Sequence, residues 1–181
     1  AASGSVNWEK IVRFASDILA NKSKDLVAAS YLAVALVYTR QHEGLAIGVK
    51  LLTDLMGKYW EELYPPKERM RGRQRAMVWW AEKTEAALRQ LPRAPVPAAL
   101  AARLTEHTGR LEQFMRRHLD GPPSLAAIRE WLGTIAPEED RTEPEAPQPQ
   151  AALQPTAPAE PATAADPIPD IEPAPPRAQP P

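Results

Sequence analysis

The sequence predicts an all-α fold: a bundle of about six helices followed by a disordered, acidic, proline-rich tail. Three observations predict it. Apolar residues recur at three- and four-residue spacing from Trp8 to Ile135, as in helices with one buried face. No segment alternates apolar and polar residues for long enough to make a strand. The composition changes at Pro137: the last 45 residues hold 14 of the 21 prolines, nine acidic and two basic side chains, and no aromatic residue. Such a segment cannot bury enough apolar surface to offset the entropy of ordering.

The elements follow in order. Residues 1–6, AASGSV, are short and uncharged and read as a tag remnant. Trp8, Ile11, Val12, Ala15, Ile18 and Leu19 share one face of a first helix, which Asn7 can cap. Ser23 is expected to cap the second helix, with Asp25 against its positive end. Leu26, Ala29, Ala33 and Leu36 form one stripe of that helix, and Val27, Tyr31, Val34 and Tyr38 another. Together they cover most of its circumference, which predicts a central rod buried on nearly every side. The apolar stretch from Leu26 to Tyr38 is too short to span a bilayer.

Gly44 breaks the pattern. A third helix follows from Leu45 to Trp60, with Val49, Leu52, Leu55, Met56 and Tyr59 inward. Tyr64-Pro65-Pro66 ends it, because proline blocks helix continuation. A fourth helix from Glu68 to Leu91 carries Met77, Trp80, Thr84 and Leu88 on one stripe. Pro92, Pro95 and Pro97 make a short break before a fifth, from Ala98 to Leu119, with Leu100, Leu104, Thr108, Leu111 and Met115 inward. Ser124 caps a last helix bearing Leu125, Ile128, Leu132 and Ile135. Residues 7–136 therefore read as one helical domain, and residues 137–181 as a linker to a further C-terminal domain.

Composition excludes several kinds of chemistry. The chain has no cysteine, so it has neither disulfides nor thiolate metal sites, as expected of a cytoplasmic protein. The formal charge of −1 conceals a body near +6 and a tail near −7. His42, His107 and His118 are too far apart in sequence to form a local ligand motif. There is no HExxH, no glycine-rich phosphate loop and no GxSxG. Glu61 and Glu62 are adjacent, so on a helix they point apart and make no acid–base pair. No catalytic residue, cofactor or metal is expected, and the chain does not read as an enzyme.

The main charge feature is Lys67-Glu-Arg-Met-Arg-Gly-Arg-Gln-Arg75. Arg69, Arg71, Arg73 and Arg75 could follow a nucleic-acid backbone. Alternation by two, however, spreads them around a helix instead of lining one side, so a nucleic-acid-binding helical domain is the alternative reading. In a third reading one arginine, Arg75, turns inward and pairs with Asp25 or another buried carboxylate. Trp79 and Trp80 point about 100° apart. If Trp80 joins the stripe of Met77 and Thr84, Trp79 lies at the core edge or at an interface.

Four stretches in sequence order carry a resemblance: Ser23-Lys-Asp-Leu26 opening an Ala-rich helix, His42-Glu-Gly-Leu45, Lys58-Tyr-Trp-Glu-Glu-Leu-Tyr-Pro65, and Arg75-Ala-Met-Val-Trp-Trp80. With Trp8 ahead of them, they resemble the ImpA N-terminal domain of TssA-type proteins in bacterial type VI secretion. The resemblance spans Trp8 to Trp80. The chain departs from the family where Val27 stands in place of a frequent arginine, and it lacks a Pro-Cys-Gly-like segment before the tryptophan.

The resemblance implies a non-enzymatic interaction domain that helps assemble baseplate, tail tube and sheath. Its structural motif would be Ser23, Asp25, Trp60, Pro65 and Arg75. The implied partners are baseplate, tail-tube or sheath proteins. Oligomerisation would come from a separate C-terminal domain, and a homodimer through the helical domain is a further reading. The candidate partner-binding residues are Trp60, Tyr64, Arg69, Arg71, Arg73 and Trp79.

Overall fold

The computed structural model describes residues 6–135 and the backbone of residues 137–138. The expected tail and most of the expected tag remnant lie outside the described residues. Helix α1 spans Trp8–Asp17, and the Asn7 side chain accepts a hydrogen bond from the Lys10 amide at 2.9 Å. One π-helical turn, Ile18–Lys22, leads out of it. Helix α2 spans Leu26–Tyr59. Its cap is Asp25, whose Oδ1 accepts from the amides of Val27 at 2.7 Å and Ala28 at 3.2 Å. Ser23, the expected cap, is exposed and two residues too early for that role.

The second and third predicted helices are the two arms of α2. The arms meet at Gln41, where φ is 50° and ψ is −125°, a left-handed conformation unusual outside glycine. There the chain doubles back. A Cβ on Gly44 would lie 1.8 Å from the Leu36 carbonyl oxygen, and one on Gly48 would lie 3.0 Å from Ala33. These pairings are centred beside Gln41, at Arg40, as in a tight αα-hairpin. The two ends of α2 are tied by the residues just beyond them. Leu26 N donates to Tyr64 O, and Tyr64 N to Lys24 O, each at 2.8 Å.

A 3₁₀ turn, Lys67–Arg69, leads into α3, Met70–Leu88. Helix α4 spans Ala98–His118 and α5 spans Ala126–Thr134. The fold is all-α, with one short parallel pairing of β1 (Val96–Pro97) with β2 (Pro137–Glu138). Helix α2 packs against α1, α3 and α4, while α5 closes over α3 and α4. The core between them holds Leu26, Leu52, Met56, Met77, Trp80, Leu104, Leu111 and Met115. Helix α2 is not buried all round, because Val27 and Tyr31 remain 37% and 42% exposed. No described helix is long and apolar enough to cross a membrane.

Candidate functional site

Two groups of residues stand out, one internal and one on the surface. The internal group is organised by Arg73. Its side chain is fully buried, although its neighbours Arg71 and Arg75 are exposed. The guanidinium spends its donors on backbone: Nε on the Pro65 carbonyl at 2.6 Å, Nη1 on Trp60 at 2.8 Å and Nη2 on Leu63 at 2.5 Å. It also lies over the face of the Trp60 ring, 4.5 Å from Cζ to the ring centroid.

Phe114 and His118 of α4 pack on that same tryptophan, with ring centroids 5.1 Å away in each case. Pro65 is itself buried, against Gly72 one residue before the arginine. Burial holds the Arg73 pKa below its usual value, partly offset by Glu61 and Glu68. Glu61 is held below the usual carboxylate range, chiefly by its hydrogen bond from Lys67.

This arrangement corrects three expectations. The inward arginine is Arg73, not Arg75. Its partners are carbonyls left free where α2 ends, not a carboxylate: among the described residues no ion pair joins Asp25 to an arginine. Arg73 and Trp60, both offered as contact residues, are inside the protein and closed to a partner. With Arg73 withdrawn, the row of four arginines that motivated nucleic-acid binding loses its third member.

The surface group lies where α1 and the start of α2 meet. They bound an open groove of about 600 Å³ lined by Ile11, Phe14, Ala15, Val27, Ala28 and Tyr31. Phe14 is 49% exposed, with Lys10 and Arg13 beside its ring. Tyr31 packs against Trp79 of α3, ring centroids 4.2 Å apart, which places Trp79 at the core edge as expected. Trp79 also borders a second depression, with Arg71, Gln74, Arg75 and Glu82. Of the proposed contact residues, Tyr64, Arg69 and Arg71 are exposed and Trp79 is half-buried.

Sequence reasoning missed Phe14 and Tyr31 as surface residues. The signal for Phe14 was present: it is a large apolar side chain between Arg13 and Ser16, off the inward face of its helix. Among the described residues no group of three or more His, Cys, Asp or Glu side chains is placed to hold a metal ion.

Fold and surface together describe a helical scaffold with a tightly fixed interior and an apolar groove. Residues 1–82 match the family model described as ImpA, N-terminal, type VI secretion system. The match begins at residue 1 and includes the segment read as a tag remnant.

Among solved structures, the fold is similar to the N-terminal domain, including the conserved ImpA_N region, of the TssA component of the type VI secretion system from Burkholderia cenocepacia. The TM-score is 0.64 at 17% identity, covering 75% of this chain and 77% of that one. No curated protein sequence matches the chain. Several residues that carry the family resemblance meet at the internal group: Lys24 and Leu26 pair with Tyr64, and Trp60 and Pro65 accept from Arg73. Gly44 sits instead at the hairpin turn, at the other end of α2.

Proposed function

We propose that the chain is a non-enzymatic protein-interaction module of a TssA-like type VI secretion component, acting in the bacterial cytoplasm on baseplate, tail-tube or sheath proteins. The observation that carries this reading is the family match over residues 1–82. The surface supports it. An open apolar groove with cations beside it suits a protein partner, and exposed apolar patches on a small domain mark interaction sites. The linker character of the residues that follow the helical domain belongs to the same proposal.

The test immobilises the full chain and presents purified baseplate, tail-tube and sheath proteins of the same bacterium, after nuclease treatment. Saturable retention of at least one of them is the expected result. Retention of none, or retention that needs nucleic acid, overturns the reading.

A further inference from the structure

The six large apolar side chains that stand exposed among the described residues are Val6, Phe14, Val27, Tyr31, Ile47 and Tyr64. Phe14, Val27 and Tyr31 line the α1–α2 groove. Val6 directly precedes Asn7, another lining residue, and the Tyr64 backbone is paired beside Asp25 at the groove's α2 end. Ile47 borders a different depression, with Glu43 and His107. The three side chains that line the groove make an exposed apolar surface of the kind that marks an interaction site.

Cations outnumber carboxylates around it. Lys10 and Arg13 flank Phe14, and Arg71 and Arg75 stand beyond Trp79. Among the described residues none of these four cations is in an ion pair. Two carboxylates border the surface. Asp25 is occupied as the α2 cap, and Glu82 lies on the Trp79 side.

The walls are helices, whose backbone donors and acceptors are already paired, so they offer no edge on which a strand could add. A partner must bring side chains, as an amphipathic helix does with anchors at i, i+3/i+4 and i+7. The two basic flanks also disfavour a second copy of this chain, because a twofold interface centred on the groove would bring like charges together.

We propose that the α1–α2 groove, extended across Tyr31 to Trp79, binds an acidic amphipathic helix of a partner protein. The apolar face of that helix would lie on Phe14, Val27 and Tyr31, and its carboxylates would reach Lys10 and Arg13 on one side and Arg71 and Arg75 on the other. This rests on the interaction-module reading above and names the class of partner.

The test uses the full chain and a fluorescein-labelled helical peptide of roughly four turns, with leucines at the anchor spacing and glutamates on both flanks. A second peptide carries lysines in place of the glutamates. Fluorescence anisotropy should show saturable binding of the acidic peptide alone, weakening as salt rises. Tyr31→Asp, and separately Arg71→Glu with Arg75→Glu, should each weaken it by roughly tenfold or more. The arginine pair is exposed, so its far-UV circular dichroism should match the parent.

Equal binding of both peptides, no binding of either, or unchanged affinity in the arginine variant overturns the inference. So does a doubling of solution mass that Tyr31→Asp abolishes, which would assign the groove to a second copy. If secretion proteins are retained equally by the parent and Tyr31→Asp, the groove inference fails while the functional reading stands. If the acidic peptide binds but no secretion protein is retained, the functional reading fails and the groove remains a helix-binding site.

Discussion

Arg73 shows how a residue read as surface charge can be fully buried and held by three hydrogen bonds. A buried guanidinium is costly unless its donors are met. Here three carbonyls from one short stretch, Trp60 to Pro65, meet them in a fork that a lysine cannot reproduce. Arg73→Met removes the charge but strands those carbonyls, and Arg73→Lys keeps a charge with the wrong geometry. Each should cost about 3 kcal/mol in urea denaturation, against about 0.5 kcal/mol or less for Arg71→Ala or Arg75→Ala. A lysine variant within about 1 kcal/mol of the parent would refute the clamp. The signal was legible: the stripe Met77, Trp80, Thr84 extends back by four residues onto Arg73. The formal charge of that residue hid it, because arginine is rarely buried.

At the level of elements, α2 is a hairpin whose tight turn depends on two glycines. Close approach of the arms lets Ala33 and Leu36 meet Gly44 and Gly48 backbone to backbone, an arrangement a methyl group disrupts. Gly44→Ala sets a carbon against a carbonyl oxygen that cannot move without the helix, and should cost several kcal/mol, on the order of 3 or more. Gly57, in the last turn of the same helix, has nothing within 4 Å of its absent Cβ. Gly57→Ala should instead stabilise by roughly 0.5–1 kcal/mol, through helix propensity alone. Thermal unfolding of both variants checks the contrast, and similar shifts of the same sign would refute the packing argument. The spacing of Gly44 and Gly48 was visible in the sequence. Their role was not, because it exists only once Leu36 and Ala33 lie across from them.

For the whole molecule, the question is where the folded body stops. Sequence composition places the change at Pro137, but the backbone of Pro137 and Glu138 pairs with Val96 and Pro97. A chain ending at residue 136 therefore loses the partner strand of β1. A chain ending at residue 144 should keep the melting temperature of the full chain to within about 2 °C, and one ending at 136 should melt lower by about 2–4 °C. Scanning calorimetry on the two truncations decides it, and identical melting temperatures would show that the pairing contributes nothing.

The sequence by itself determined the all-α class, the helical stretches and most inward faces, because a 3.6-residue period and proline breaks are local facts that survive any tertiary arrangement. It also carried the ImpA N-terminal resemblance in short stretches whose order is fixed by the chain. Tertiary structure alone decided that Arg73, not Arg75, turns inward, that Asp25 and not Ser23 caps α2, and that Tyr31 stays open beside Trp79. Each depends on which surfaces meet. The hydrogen-bond partners of Arg73 come from where α2 ends, and the groove exists because α1 leaves one flank of the first arm of α2 uncovered. Periodicity marks a side chain as able to be buried; only the neighbouring helix determines whether it is.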